Sequence, residues 1–159
     1  MRTASGLTPS HRAALARVAQ ILAPARSPWW AIAGAAVALQ GVSDTMVDDI
    51  DVLIDADDFG LVTAVPEVWS LDPGHSDHFR SARYAVAVLA DIHVEFMAGL
   101  TVRRRGDWVP VVPRSREAVR LAEGVVFVPD RIDLAEMLTL FDRPKDVRRA
   151  AQLRGMAGG

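Results

Sequence analysis

The feature that most constrains this chain is the alternation at residues 49–55, where Asp49, Asp51 and Leu53 alternate with Ile50, Val52 and Ile54. Successive side chains of a strand point to opposite faces, so the two aspartates project from one face while Ile and Val project from the other. A strand of this kind needs a core on one side and leaves the other for solvent or a ligand. Two carboxylates one pleat apart repel each other when both are ionised, and a divalent cation is the usual way to keep such a pair charged. The pair therefore reads as a magnesium platform. Upstream, residues 29–33 read as a buried strand leading into Gly34-Ala35, where the lack of bulk lets backbone amides approach a ligand. A short helix over 35–40 then stops at Gly41.

A second acidic face follows. Residues 84–89 and 92–97 are two β-like runs separated by a tight Ala90-Asp91 turn. In the second run Ile92, Val94 and Phe96 share one face, and Asp91, His93 and Glu95 share the other. Phosphoryl or nucleotidyl transfer uses divalent metals, in the two-metal form about 3.5 to 4 Å apart on shared carboxylates. Asp49 and Asp51 would supply two acids, and Glu95 or Asp91 the third. His93 reads as a half-buried strand histidine.

The remainder reads as scaffold. Residues 1–7 read as a loose tail, and Thr8 is expected to cap a helix opened by Pro9, with Leu15, Val18, Ala19 and Leu22 as its apolar stripe. Asp57-Asp58 caps a brief helix through Val65, closed by Pro66, and a strand over 68–71 precedes a turn-rich loop over 72–78. His75 and His78 in that loop lack a third partner at zinc-like spacing. Hairpins are expected for 101–105 with 108–112 about Gly106-Asp107, and for 119–121 with 125–128 about Glu123-Gly124. Leu134, Met137, Leu138 and Phe141 fit a helix started by Asp130 or Asp133, and Pro144 opens a last helix carrying Val147, Ala150, Ala151 and Leu153. The four tryptophans, 29, 30, 69 and 108, read as core or the base of a cleft. Arg103-Arg104-Arg105 reads as a solvated edge or a phosphate guide. Arg143 and Lys145 either contact phosphate or pair with Asp142 and Asp146. One α+β domain over 1–159, with a mixed sheet flanked by helices, accommodates all of this.

Composition excludes some chemistry. Without cysteine there is no disulfide, thiolate zinc site or cysteine nucleophile. A net charge of -2 gives no global attraction to nucleic acid or anionic membrane. The apolar run over 29–39 is far short of the roughly 20 residues of a membrane span, and no signal-peptide layout opens the chain, so a cytoplasmic protein with no membrane contact is expected.

Gly34-Ala35, Gly41, Thr45 and Asp49-Ile50-Asp51 before Val-Leu-Ile resemble the signature of the DNA polymerase β-like nucleotidyltransferase superfamily. The closest in style are its small bacterial members, which include antibiotic and toxin-antitoxin nucleotidyltransferases. Glu95 is similar to their third acid, and Arg143-Pro-Lys-Asp146 resembles a segment near their C-terminus. The resemblance implies a nucleotidyltransferase-like fold and Mg2+ held by Asp49, Asp51 and Glu95. It also implies a nucleoside triphosphate such as ATP bound near Gly34, Ala35, Thr45 and Lys145. The reaction would be transfer of a nucleoside monophosphate to an acceptor hydroxyl with release of pyrophosphate, Glu95 serving as base. The acceptor stays open among a small molecule, a tRNA and a protein, and a protein partner or a homodimer would complete the acceptor side. Ala35 stands where relatives usually have Gly or Ser, and Asp44 where many have Arg. An alternative expectation is thus a catalytically impaired, nucleotidyltransferase-like antitoxin or regulatory binding protein. An acidic-cluster nuclease is a third.

Overall fold

Thr8 caps the first helix as its sequence suggests, its side chain accepting from the His11 amide while the His11 ring accepts from the Thr8 amide. The computed structural model describes residues 6–71 and 76–156, with backbone alone at 70 and 71. In chain order the elements are α1 (Pro9–Ile21), β1 (Trp30–Ile32), α2 (Ala33–Leu39), β2 (Ile50–Leu53), a 3-10 turn (Ala56–Asp58), α3 (Phe59–Thr63), β3 (Val68–Leu71), β4 (Phe79–Arg80), β5 (Arg83–Leu89), β6 (Ile92–Ala98), β7 (Thr101–Arg104), β8 (Asp107–Pro110), β9 (Glu117–Leu121), β10 (Gly124–Val128), α4 (Arg131–Phe141) and α5 (Pro144–Gly155).

The main sheet has the order β1-β2-β6-β5-β3, with β2 and β6 parallel and its other pairs antiparallel. Its inner face carries Ile50, Val52, Ala85, Ala87, Val94 and Phe96, all fully buried. Helix α1 packs against β5, β6 and β10 through Ala14, Leu15 and Val18. At about 25 cal/mol per Å² of apolar surface removed from water, this face is what fixes the strand register, since a slip of one residue would bury the acids instead. The outer face carries Asp51, His93 and Glu95. The β5–β6 hairpin turns through Ala90 and Asp91, both left-handed at φ 50° and 66°, and the β7–β8 hairpin through Arg105 and Gly106 at 52° and 85°. Positive φ at both central positions suits the twist of flanking strands.

Several local expectations shift. The β9–β10 ladder pairs Gly124 with Leu121, so the turn is Ala122-Glu123 and Gly124 belongs to the strand. Asp55, accepting from the Asp57 amide, caps the 3-10 turn. The buried Asp58 instead receives the amides of Arg26 and Ser27, both at 3.0 Å, and so anchors the loop before β1. Asp130 caps α4, leaving the Asp133 carboxylate to collect the amides and hydroxyl of residues 114 and 115. On α5 Ala150 and Leu153 are buried as expected, whereas Val147 and Ala151 are exposed. Trp29 packs edge-on against Phe127 in the core, but Trp69 is 56% exposed because it lies on the outer face of the sheet. Residues 72–75 of the expected loop, His75 among them, lie outside the described residues, while His78 bonds the Phe141 carbonyl. Among the described residues no helix is long and apolar enough to cross a membrane.

Candidate active site

The site is assembled by the one parallel pair of the main sheet. Register places Asp51 of β2 opposite Glu95 of β6, and neighbouring strands run about 4.8 Å apart. Asp49 precedes β2 by one residue and points the same way as Asp51. His93 is one pleat before Glu95, with its Nδ1 3.9 Å from Asp49 Oδ2. Asp49, His93 and Glu95 each offer a ligand atom within 4.8 Å of the others. Asp91 is absorbed by the β-turn at φ 66°, so Glu95 is the acid that meets the aspartates. His93 is the half-buried strand histidine expected, and its side chain also belongs to the cluster.

The crowding of carboxylates has an electrostatic consequence. Burial pushes the Asp51 carboxyl up from 3.8 to about 8, helped by its hydrogen bond to Glu95 and by the charges of Glu95 and Asp49, with Arg143 opposing. A protonated Asp51 thus donates to Glu95. The Tyr84 hydroxyl, one strand away on β5, donates to Glu95 as well, and burial followed by the same contact raises its own pKa. Carboxylate oxygens with one imidazole suit a hard divalent cation such as Mg2+ or Mn2+, whose charge would replace the proton on Asp51. The donor set therefore fits the metal implied by the sequence.

The acids form one wall of a cleft of about 520 Å³, within the usual size for a small-molecule site. The same cleft is lined by three cations from α5 and the residue before it, Arg143, Lys145 and Arg149. Arg143 is held bidentately by the buried Asp146, at 2.6 Å and 3.1 Å, while Asp142 pairs with Arg104 at 3.0 Å. Lys145 makes no ion pair among the described residues. Gly34 lines the floor, and a Cβ built on it would lie 2.8 Å from the Arg149 guanidinium, so the space it leaves is taken by that side chain. Just before it, Ala33 adopts φ 55°, a left-handed conformation that costs a non-glycine residue about 1 kcal/mol or more. That bend turns the chain from β1 into α2 at the cleft floor. A larger depression of about 890 Å³ beside α1 is lined mostly by apolar residues, with Arg17, Arg26, Arg116 and a single carboxylate, Glu123, and shares no lining residue with the acidic cleft.

Of the residues expected near nucleotide, Gly34 and Lys145 line the cleft, whereas Ala35 and Thr45 are buried and do not. Asp44 is exposed and off the cleft. Three residues escaped the sequence reading. Tyr84 was findable from the two-residue turn, which sets Val86 opposite Glu95 and puts Tyr84 on the diagonal. Arg149 lies one helical turn after Lys145, on the same face of α5. His11 gave no signal; with its Nδ1 accepting from Thr8, its Nε2 donates to the Asp48 carbonyl and steadies the approach to Asp49.

No protein-family model matches the chain, and no curated protein matches it significantly. Solved structures do. A proposed nucleotidyltransferase from Thermotoga maritima aligns over 95% of this chain and 94% of its own, at 19% identity and a TM-score of 0.70. An antigenic nucleotidyltransferase-like protein from Paracoccidioides brasiliensis aligns over 92% and 76% at 14% identity, TM-score 0.56. The antibiotic-resistance factor ANT(2″)-Ia aligns over 94% and 85% at 12% identity, TM-score 0.59. A second structure of that factor, covering 86% and 83% at 14% identity and TM-score 0.50, holds adenylyl-2″-tobramycin. The fold of this chain is therefore the one that these nucleotidyltransferase and nucleotidyltransferase-like structures share.

Proposed function

We propose that this chain is a metal-dependent nucleotidyltransferase, moving a nucleoside monophosphate from a nucleoside triphosphate to an acceptor hydroxyl and releasing pyrophosphate. The observation that carries the reading is the convergence of Asp49, His93 and Glu95 within 4.8 Å, with Asp51 bonded to Glu95, in one cleft with the cations Arg143, Lys145 and Arg149. Acids alone would suit a nuclease equally. The cations in the same cleft favour a polyphosphate-bearing substrate.

In this reading Asp49, Asp51 and Glu95, with His93 beside them, hold Mg2+. Mg2+ held there would neutralise phosphate oxygens and make the acceptor hydroxyl more acidic. Lys145 and the turn at Gly34 hold phosphate oxygens and set the α-phosphorus in line with the acceptor. The acceptor oxygen bonds to the α-phosphorus while the bond from that phosphorus to the β-phosphate bridging oxygen breaks. Pyrophosphate leaves and the hydroxyl proton passes to Glu95, which Tyr84 orients by its hydrogen bond. The adenylylated small molecule bound by ANT(2″)-Ia supports a nucleotidylated product of this kind.

The test is incubation of the purified protein with Mg2+ and each labelled triphosphate, following binding and label transfer to candidate acceptors. Asp49→Ala and Asp51→Ala should each lower transfer on the order of 100-fold or more. Absence of both binding and transfer in the unmodified protein, with no change in either variant, would remove the reading.

A further inference from the structure

Arg149 is the partly buried cation of this cleft that has no carboxylate in ion-pair contact among the described residues. Arg143 is neutralised by Asp146 and shaped by it, and Lys145 is exposed to water. Arg149 is neither. It is partly buried, and that burial lowers its pKa, with Arg143 and Arg148 adding repulsion while Asp146 and Asp51 oppose. No carboxylate comes within ion-pair distance of it among the described residues. Its one hydrogen bond runs from Nη2 to the Met46 carbonyl at 2.8 Å, which leaves most of its five donors unused. A half-buried guanidinium whose one hydrogen-bond partner is a neutral carbonyl keeps charge and donors free for an anion in the cleft.

The backbone around it is arranged to keep it there. Gly34 leaves room for the guanidinium, with built Cβ distances of 2.8, 3.1 and 3.3 Å to Nη2, Cζ and Nη1. One turn further along α5, Gln152 donates to the Asp44 carbonyl at 2.6 Å, so Arg149 and Gln152 together strap the loop that leads into Asp49. The planar fork thereby lines the cleft beside Gly34, within electrostatic reach of Asp51. A planar fork with free parallel donors matches two oxygens of a phosphate.

From this placement we infer that Arg149 is the specificity residue of the site, gripping the diphosphate portion of the nucleotide and then the pyrophosphate that leaves. The inference rests on the nucleotidyl-transfer reading and deepens it: the site selects nucleotides carrying β- and γ-phosphates over monophosphates, and does so through α5. Lys145 adds charge from the rim, but Arg149 provides the directed contacts.

The probe is Mg2+-pyrophosphate, which needs no knowledge of the base or the acceptor, measured by calorimetry beside Mn2+ alone and each of the four nucleoside triphosphates. Arg149→Gln keeps a polar side chain in place and loses the charge and the fork. It should bind pyrophosphate at least tenfold more weakly while its Mn2+ affinity and melting temperature stay close to those of the unmodified protein. Arg149→Lys should recover part of the loss. Gly34→Ala, whose methyl displaces the guanidinium without removing it, should weaken pyrophosphate binding too, which keeps the test open should the Gln variant fold poorly. Unchanged pyrophosphate affinity in Arg149→Gln, with triphosphate still bound by the unmodified protein, overturns the role of Arg149 and leaves nucleotidyl transfer standing. An equal loss of Mn2+ binding and stability in all three variants also overturns it, since Arg149 would then be only a strap. Failure of the unmodified protein to bind pyrophosphate or any triphosphate overturns both.

Discussion

At the scale of the residue, Asp51 is the most informative group. Its alternation with Ile50 and Val52 was legible in the sequence, and so was Glu95 on a second acidic face. The coupling of the two was not, because it depends on a pairing between segments some forty residues apart. The consequence is a pH dependence whose sign can be worked out. Without metal, the folded state holds a proton on Asp51 up to about pH 8, whereas the unfolded chain releases it near the ordinary 3.8. The unfolded state binds fewer protons between these values, so stability of the metal-free protein falls as pH rises through that window and levels off above it. Melting temperature measured from pH 5 to 9 should show this fall, and Asp51→Asn should flatten it. Divalent metal must displace the same proton, so its apparent affinity should climb with pH up to about 8, by up to tenfold per unit. A metal affinity independent of pH would show that Asp51 is not a ligand.

At the scale of the element, the sequence read best where contacts are local. Helix α1 announces itself by Thr8-Pro9, the β5–β6 hairpin by two alternating runs around two residues, and α5 by Pro144. The β9–β10 turn was misplaced by one residue because Gly124, which reads as turn chemistry, is accommodated in a strand beside Ala19. Asp58 was misread because its partners are backbone amides some thirty residues earlier, which no local pattern marks. Helix α5 has the largest structural burden relative to its length. It carries Lys145 and Arg149 of the cleft, and its first turn is locked by Asp146, fully buried and bonded to Arg143. Asp146→Ala leaves Arg143, about a third exposed, to be solvated in part by water and removes the capping contact to its amide, and should cost about 1 to 3 kcal/mol. Chemical denaturation would read this loss, and a cost within experimental error would mean that Asp146 is dispensable to α5.

At the scale of the whole molecule, the arrangement separates two charges that composition averages away. A net charge of -2 conceals an acidic cluster from β2 and β6 that shares its cleft with cations from α5 and the residue before it. The α+β class and mixed sheet were legible from alternation and helical spacing. The parallel pairing of β2 with β6 was not, since it depends on the whole chain packing its apolar face against α1. The central claim is that this paired acidic face holds a divalent metal for a nucleotide. The most direct measurement is Mn2+ electron paramagnetic resonance at pH 8, with and without each nucleoside triphosphate, on the unmodified protein and on Asp51→Asn combined with Glu95→Gln. The account predicts that the unmodified protein binds Mn2+ and binds it more tightly with a triphosphate present, and that the double variant loses both effects while staying folded. Equal Mn2+ binding in the two proteins, or none in either, would contradict it.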